Sequence, residues 1–447
     1  MAISYQPSFN YATAPQSSPE RLFRKRHFTD AIARSRSCTI RPPEFMNFVC
    51  GSAAFEVMQV SESKDRGQMK SFFLIGAAIP LILTIPAASA KQHANAVQEK
   101  IKVIADQDSA GPQGTNFLSL LMLLRAPRVD LLGITTISGD QWVEPATVFA
   151  LWATEQARRT DVPVIKGAEM PLLHTQREQE LLEKLYVSHP TWHGSFNPDA
   201  PPPSQTWAPP GGYPTVKARP GRAADFIIDT IRANPGEVVL YCAGPLTNIA
   251  LAVRMDPGIV ALTKAIYVMG GSSRGGFELN WWWDPEAAAI VMREPWKQIV
   301  VSPAEAGGQV WSSKQLMQRI VDAGGPLAHH VKQLYIDFQP PAGTTLWSAM
   351  WDELLVAALI DPSVIQESET MYLDVDIEHG PKYGDTVVWK QPEEIPTFFL
   401  PYSGPRPRDD AKWQDHLAPP EQLHPANVET KVNVAKFEDV FVSLMSH

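Results

Sequence analysis

From residue 100 onward the chain alternates short apolar runs, rich in β-branched residues, with longer helical patterns. The run IKVIA is followed by the helical pattern TNFLSLLMLLRA, and the run VDLLGITTIS is followed by VEPATVFALWATEQARR. The same alternation continues through the apolar runs VPVIKG, EVVLYCA, AIYVMGG and KQIVVSP. Alternation of this kind is typical of βαβ units, in which crossover helices join parallel strands. The sequence therefore predicts an α/β fold with a mainly parallel open sheet flanked by helices.

Two proline-rich segments interrupt the pattern, at residues 189–221 and 392–426. An excursion as long as the first one inside a compact domain is a lid or binding loop, or else decoration, and both interpretations stay open. Between and after these segments, MYLDVDIE and TVVWK predict two more strands, and FEDVFVSLMS predicts a closing helix. We therefore expect the α/β domain to carry long proline-rich loop insertions.

Residues 69–92 carry the features of a secretory signal peptide. A lysine follows Met69, an apolar stretch covers residues 72–85, and Ala88 and Ala90 form the A-x-A pattern of a signal-peptidase site. An uncleaved anchor or a buried helix is the alternative, but the stretch is short for a span of about 20 residues, contains Pro80 and is followed by Pro86. The pattern predicts an exported protein.

The signal divides the chain into three parts. Residues 1–68 mix Arg, Ser, Pro and Gln without clear periodicity, so they are a disordered leader or a start assigned too far upstream. Residues 69–90 are the expected signal peptide, and residues 91–447 are the expected mature domain, secreted or periplasmic. No cysteine follows the signal to carry a lipid, so we expect no stable membrane anchor after cleavage.

Charge and cysteine content exclude several classes of function. The formal charge is -9 and no sustained Lys/Arg run occurs, whereas binding of nucleic acid polymers depends mostly on neutralising phosphates. Cys38, Cys50 and Cys242 are far apart and show no CxxC spacing, which excludes a zinc cluster or a disulfide framework. The expected ligand is a small molecule.

Oxygen-bearing side chains follow several of the predicted strands or begin the next helix. Parallel sheets of this kind bind ligands at the carboxyl ends of their strands, so these side chains should converge on one edge. Oxygen donors without His or Cys clusters suit Ca²⁺ or Mg²⁺, and we favour Ca²⁺. Taken singly, Asp352 also fits a helix cap and Asp140 a turn residue, and Thr247 or Asn248 can cap the helix that follows EVVLYCA. The set comprises Asp106, Asp108, Asp140, Thr247, Asn248, Glu278, Asn280 and Asp352.

Several separated stretches together resemble the inosine-uridine preferring nucleoside hydrolase family. They are IADQD, LLGITTISGD, DVPVIKGAEMPL, ANPGEVVLYCAGPLTNIALAVRMDP, AIYVMGG, ELNWWWDPEAA and WDELLVAALIDP, in family order over roughly residues 100–445. The resemblance implies an α/β fold, a calcium ion that also binds the ribose hydroxyls and a water, and hydrolysis of the N-glycosidic bond of a nucleoside. It also implies a homodimer or homotetramer.

The resemblance assigns roles by motif position. Asp108, Asn116 and Asp352 would be side-chain metal ligands, Ala243 would supply a backbone carbonyl, and Asp106 would be a neighbouring carboxylate. For the substrate, Glu278 and Asn280 match the ribose-binding pair, and Asp140 stands where the family usually has a ribose-binding Asn.

Two positions depart from the family pattern. Thr115 stands where the resemblance places a general-base Asp, and a hydroxyl has no accessible pKa for that role near neutral pH. Asp106 and Asp140 are the candidate replacement bases. Trp351 stands where His often precedes the ligand Asp; it can stack on a nucleobase or simply pack, and His193 is then the candidate acid.

The supply of tryptophan near strand ends favours the same class of ligand. Trp281, Trp282, Trp283, Trp347 and Trp351 all lie there, and indole faces stack on planar bases or sugar faces. We expect one or two of them to contact ligand and the others to be core. The leading prediction is a calcium-dependent N-ribohydrolase. The alternatives are a calcium- and riboside-binding homologue without catalysis, and a hydrolase of another glycoside.

Overall fold

The computed structural model describes residues 100–111, 116–186, 193–197, 208–338, 347–395 and 423–446. The expected leader, the signal peptide, Thr115 and much of both proline-rich segments lie outside these ranges. All described residues belong to one compact unit. Within the described ranges, no helix is long and apolar enough to cross a membrane.

The described residues form one nine-stranded sheet with the order β3-β2-β1-β4-β5-β6-β9-β7-β8. Strands β1 to β6 and β9 pair in parallel, whereas β7 pairs antiparallel with β9 and with β8. The predicted mainly parallel α/β sheet is confirmed. The strands are β1 Ile101–Gln107, β2 Val129–Thr136, β3 Val164–Lys166, β4 Val238–Ala243, β5 Ala265–Met269, β6 Ile299–Ser302, β7 Ile365–Val375, β8 Thr386–Trp389 and β9 Pro425–Val432.

Helices cover both faces of this sheet. In chain order they are α1 Asn116–Arg125, α2 Val143–Gln156, α3 Gln176–Tyr186, α4 Ala223–Ala233, α5 Thr247–Met255, α6 Gly258–Leu262, α7 Leu279–Trp283, α8 Pro285–Met292, α9 Ala304–Gly307, α10 Lys314–Ala323, α11 Ala328–Val331, α12 Trp351–Ile360 and α13 Val434–Ser446. Shorter 3₁₀ turns occur at Gly194–Phe196, Pro362–Val364 and Pro392–Glu394, and a π-helical turn covers Lys332–Asp337.

The central strand β4 shows how the sequence produces two cores. All six of its residues, VVLYCA, are buried, because helices cover both faces of a parallel sheet and leave neither face to water. Tyr241 and Ala243 pack in one cluster with α1, α12 and α13, while Leu240 and Cys242 pack in the other with α4, α5 and α8. The alternation of side chains along the strand thus divides its residues between the two layers.

Strand β9 corrects the sequence analysis, which treated residues 392–426 as a link and predicted no strand after it. The segment PANVETKV gives little apolar signal, yet it is inserted between β6 and β7 in the sheet. Its side chain at Glu429 is only 3% exposed. The first half of β7, IQESET, is also polar and mostly exposed, which explains why only its second half is predicted from hydrophobicity.

Burial of Glu429 makes the stability of the fold depend on pH. Burial raises the pKa of this carboxyl from 4.5 to about 8. The folded protein therefore keeps a proton that the unfolded chain releases, and the free energy of unfolding falls as pH rises through this window. Each unit of difference in pKa corresponds to about 1.4 kcal/mol.

We expect Glu429→Gln to remove this dependence. Urea unfolding at pH 5 and pH 8 should show the variant gaining stability relative to the wild type at the higher pH. Glu367→Gln is the control, because this exposed carboxylate on β7 pairs with Lys431 at the surface; its relative stability should change by less than about 0.5 kcal/mol. An unchanged difference for Glu429→Gln at the two pH values would contradict the prediction.

Candidate active site

The carboxyl ends of β1, β2, β4 and β5 meet at one edge of the sheet, and the predicted site residues lie there. In the sheet register, Gln107 at the end of β1 is opposite Thr136 of β2 and Ala243 of β4. Ala243, the last residue of β4, is 1% exposed. The register places its backbone at this edge, beside the strand that precedes Asp108. The convergence expected from the sequence is therefore observed.

Asp108 is the first side chain beyond β1 and is 1% exposed. Its Oδ2 accepts a hydrogen bond from the backbone N–H of Asp140 at 2.8 Å, and its Oδ1 accepts one from Asn116 Nδ2 at 3.2 Å. Glycine is required at position 139, since an added Cβ would lie 2.2 Å from Asp108 Oδ2. Burial and the nearby charge of Asp140 raise the pKa of Asp108.

Asn116 begins α1 and joins two of the predicted acids. Besides Asp108, its Nδ2 donates to Asp140 Oδ2 at 2.8 Å. The amide thus presents its NH₂ group to both carboxylates, as a neutral donor between two like charges. An amide has an oxygen and a nitrogen at nearly equal positions, so a rotation of about 180° presents the oxygen instead.

Asp352 lies in the first turn of α12 and is 5% exposed. The alternative interpretation as a helix cap is wrong, because the N-cap residue is Met350 and the Asp352 carboxylate faces β1. Its Oδ2 accepts from Gln107 Nε2 at 2.7 Å. Burial raises its pKa, and the charges of Asp108, Glu353 and Asp140 raise it further.

Asp106 faces the opposite layer. It is 1% exposed, and its Oδ1 accepts hydrogen bonds from the Thr135 hydroxyl and from Asn248 Nδ2, the latter at 2.8 Å. Burial raises its pKa to about 7. Asn248 also donates to the backbone oxygen of Thr136 and accepts from the N–H of Ala168. It therefore ties β1, β2 and the chain after β3 together.

Thr247 and Asn248 do not cap α5, contrary to the sequence analysis. The N-cap residue is Leu246, which makes no side-chain cap, and the Thr247 hydroxyl donates instead to Asp284 Oδ2 at 2.6 Å. Asp284 itself caps α8 by accepting from the N–H of Ala287. Both residues of the GPLTNIA motif are thus used to hold neighbouring carboxylates.

Glu278 organises the loop between β5 and α7. Its carboxylate accepts from the backbone N–H groups of Gly271, Asn280 and Trp281, at 2.9, 3.1 and 3.1 Å. Burial raises its pKa to about 7, and the charge of Asp140 adds to this shift. Asn280 is 7% exposed and its Nδ2 donates to the backbone oxygen of Met269 at 3.2 Å.

Elements outside this loop hold it in place. Glu305, in α9, accepts from the Ser272 hydroxyl at 2.7 Å and from the Ser273 N–H at 3.0 Å. Thr386, the first residue of β8, exchanges backbone hydrogen bonds with Gly276 at 2.8 and 2.9 Å and accepts from the N–H of Ser272 at 3.1 Å. Hydrogen bonds from α9 and from β8 therefore hold the loop in place.

The tryptophans divide between core and site. Trp281, Trp282 and Trp283 are at most 4% exposed and pack as core. Trp351 is half-buried, and its Nε1 donates to the backbone oxygen of Ala304 at 3.1 Å. It adjoins Asp352 in the chain and packs against the core cluster that contains α1 and α12.

His193 lies above the same edge. Its Nε2 is 3.0 Å from Glu183 Oε1, and its ring stacks on Trp282 with centroids 5.6 Å apart. The N–H of Ser195 donates to the backbone oxygen of Gly139 at 2.8 Å, which attaches the segment 193–197 to the residue that precedes Asp140. Gly194 has a φ of +53° and an added Cβ would meet Gly139 at 2.2 Å, so glycine is required there.

Three residues of the site are absent from the sequence analysis or carry another role there: Gln107, Asn248 and Asp284. One sequence feature could have identified them. Each is a polar side chain, uncharged or capping a helix, that follows or adjoins a buried strand and has no access to water there. Each bonds a buried group of a distant segment, and long-range pairing of this kind leaves no periodicity in the sequence.

The donors at this edge fit a hard divalent cation. Within the described ranges, no Lys or Arg forms an ion pair with Asp108 or Asp352, and the charge of the first raises the pKa of the second. The described residues hold no group of three His, Cys, Asp or Glu side chains arranged for a metal ion. The predicted set contains only two such side chains, and its other donors are the amide of Asn116 and the carbonyl of Ala243.

Comparison with known proteins identifies the family. The family model "Inosine-uridine preferring nucleoside hydrolase" matches residues 103–439. A pyrimidine-specific ribonucleoside hydrolase RihB of Escherichia coli is 30% identical over 297 residues, which cover 65% of this chain and 87% of that protein. The chain belongs to the inosine-uridine preferring nucleoside hydrolase family, a metal-dependent family that hydrolyses the N-glycosidic bond of nucleosides.

Solved structures support the same fold. A purine-preferring ribonucleoside hydrolase from Gardnerella vaginalis has a TM-score of 0.55 and 22% identity, covering 77% of this chain and 98% of its own. An inosine-guanosine nucleoside hydrolase has a TM-score of 0.57 and 20% identity, covering 77% of this chain and 99% of its own. A plant nucleoside hydrolase has a TM-score of 0.56 and 22% identity, covering 77% and 98%.

Substitution of Glu278 tests how the loop between β5 and α7 is held. In Glu278→Gln, one carboxylate oxygen becomes an NH₂ group that faces backbone donors, so at least one buried N–H loses its acceptor. We expect the free energy of unfolding to fall by about 1–3 kcal/mol, measured by urea titration. The control is Glu286→Gln, whose carboxylate binds the Tyr383 hydroxyl, a group that can still donate to an amide oxygen. Equal losses in the two variants would contradict the assigned role.

Proposed function

We propose that this protein is a calcium-dependent N-ribohydrolase, which cleaves a nucleoside or related N-riboside into a free base and ribose. The observation that carries the proposal is the contact between three predicted site residues: Asn116 Nδ2 donates to both Asp108 and Asp140. Gln107 connects this cluster to Asp352, because its amide donates to the Asp352 carboxylate and to the backbone oxygen of Asn116. Glu278 lies close enough for the charge of Asp140 to raise its pKa. Metal-binding and ribose-binding candidates thus share one edge of the sheet.

Asp108, Asn116, Asp352 and the carbonyl of Ala243 would hold the calcium ion. They are oxygen donors of the type that Ca²⁺ prefers. When bound, the ion increases the acidity of a water and stabilises negative charge beside the reacting sugar. The residues themselves supply two buried carboxylates, and burial together with the charges of neighbouring acids raises the pKa of each.

Asp140, Glu278 and Asn280 would bind the ribose hydroxyls. Asp140 is the least buried acid of the cluster, so it can accept a hydrogen bond from a ligand. Glu278 is held by three backbone N–H groups, which fix its carboxylate before any ligand arrives. A fixed acceptor loses little conformational entropy when substrate binds, and this favours catalysis by orientation.

The proton of the attacking water would go to Asp140, which lies beside the proposed metal ligand Asp108. Asp106, the other candidate base, is directed away from this pair and is engaged by Thr135 and Asn248, so we assign it a supporting role. Asp140 is joined to Asp108 through the Asn116 amide and is the more exposed of the two, so it can receive a proton while Asp108 holds the ion. Asp140 thus supplies a base without a carboxylate at position 115.

The leaving base would stack on Trp351, with His193 as the acid above it. Trp351 has one edge fixed by Ala304, and His193 is held by Glu183 and Trp282. Stacking accepts any planar base. The similar proteins named above include both pyrimidine-specific and purine-preferring hydrolases, so we propose a nucleoside substrate without restriction to one class of base.

A binding protein without hydrolysis is the second candidate, and Thr115 is the observation that favours it. Under this proposal the calcium and ribose sites bind a riboside that is not cleaved. The two candidates differ in turnover and agree in binding, so one set of measurements distinguishes them.

We expect the purified mature domain to hydrolyse at least one purine, pyrimidine or nicotinamide riboside in the presence of calcium. Removal of the ion with EDTA should reduce turnover by about 100-fold or more, and added calcium should restore it. Release of free base is measured by chromatography, and riboside binding by calorimetry. Calcium-dependent binding without release of base would support the second candidate, and equal turnover with and without calcium would overturn the calcium dependence.

Asp140→Asn tests the proposed base. The substitution keeps a hydrogen-bonding side chain at the ribose position but removes one carboxylate of the pair. We expect kcat to fall by about 10²–10⁴-fold, the usual contribution of general acid–base catalysis, with a smaller change in KM. Asp106→Asn is the comparison: a fall in kcat larger than that of Asp140→Asn would assign the base to Asp106.

Export and assembly follow as further proposals. The apolar segment at 69–90 supports secretion or a periplasmic location of the domain that begins near residue 91, and N-terminal sequencing of exported protein checks it. A mature N-terminus well upstream of Lys91 would overturn the signal assignment. A homodimer or homotetramer is proposed on family membership, and light scattering of the mature domain measures it.

A further inference from the structure

Gln107 is an uncharged side chain at the centre of the acidic edge. It is the last residue of β1, lies between Asp106 and Asp108 in the chain, and is 0% exposed. A buried amide in an acidic site needs partners for two donors and one acceptor, or it destabilises the fold. The hydrogen-bond partners of the Gln107 amide therefore show which groups it holds in place.

Both hydrogens of the Gln107 amide are directed at elements that carry proposed metal ligands. Nε2 lies 2.7 Å from Asp352 Oδ2 on α12 and 2.8 Å from the backbone oxygen of Asn116 at the start of α1. The Ser119 hydroxyl is a longer third neighbour at 3.2 Å. On the other side, Oε1 accepts from the Ser109 hydroxyl at 2.7 Å.

These contacts orient two ligands that are distant in the sequence. Gln107 and Asp352 are 245 residues apart, and Gln107 donates to the Asp352 carboxylate. The hydrogen bond on Oδ2 fixes the rotation of the carboxylate, while the bond to the Asn116 carbonyl fixes the first turn of α1. A charged donor at this place would neutralise Asp352, whereas the amide leaves its negative charge for a cation.

We propose that Gln107 is a positioning residue for the divalent-cation site, setting its affinity by orienting Asp352 and the first turn of α1. The proposal rests on the proposed function, because it assumes that these groups bind the ion. Groups that orient metal ligands through hydrogen bonds change metal affinity when they are replaced, although they do not touch the metal. Gln107 does so for two ligands at once.

The test measures metal binding directly. Gln107→Met keeps the length of the side chain and removes all of its hydrogen bonds, and Gln107→Asn keeps the amide but shortens its reach by one methylene. Calcium affinity of the full chain is measured by calorimetry on metal-free protein, and circular dichroism verifies folding. Both variants should bind calcium about 10–100-fold more weakly than the wild type.

A second readout separates positioning from general damage. Because the defect lies in binding the ion, saturating calcium should restore kcat in the variants, while the calcium concentration giving half-maximal rate shifts upward. Ser119→Ala is the matched control. It removes the longest contact of the same amide, together with the hydrogen bond that the Ser119 hydroxyl donates to the Asn116 backbone oxygen, and it leaves the bond to Asp352. Its calcium affinity should therefore stay within about threefold of the wild type.

Each outcome decides between the claims. Wild-type calcium affinity in a folded Gln107→Met or Gln107→Asn protein overturns the role of Gln107 while leaving the proposed function intact. An equal loss in Ser119→Ala overturns it as well, since any change in the pocket would then have the same effect. A wild-type protein that binds no calcium overturns both. If Gln107→Met fails to fold, Gln107→Asn alone carries the comparison.

Discussion

The burial of several carboxylates at one edge of the sheet is the constraint on which the rest of the site depends. Asp106, Asp108 and Asp352 are each at most 5% exposed, and a buried acid without a partner costs several kcal/mol. The described structure surrounds them with amide and hydroxyl donors: Gln107, Asn116, Asn248 and Thr135. Neutral donors stabilise the acids without cancelling their charge, and this is the condition that the proposed cation site requires.

The architecture and the location of the site could be predicted from sequence because both depend on local patterns. Parallel strands buried on two faces give continuous apolar runs, as in VVLYCA, and the carboxyl ends of such strands define the ligand edge. Sequence position alone therefore predicts which acidic side chains reach this edge: Asp108, Asp140, Glu278 and Asp352. Because each central strand is buried on both faces, the residues that follow it have few possible positions.

The parts that could not be predicted depend on partners far away in the chain. Strand β9 is polar in sequence, and only its neighbours β6 and β7 make it a strand. Asn248 was expected to cap a helix because local side-chain capping is a common use of Asn, yet Asp106, which lies 142 residues away, takes its amide. Tertiary hydrogen bonds replace the local ones that propensity describes.

The bridge between Gly276 and Thr386 joins the outermost strand β8 to the loop that carries Glu278 and Asn280. The strand itself lies at the opposite end of the sheet from β3, five positions from β4. A change in the length or twist of the antiparallel hairpin would therefore act first on the loop that carries Glu278 and Asn280, the residues proposed to bind the ribose, before it reaches the central strands. Divergence in this peripheral hairpin is thus a route by which the proposed ribose contacts would vary while the central strands keep their sequence.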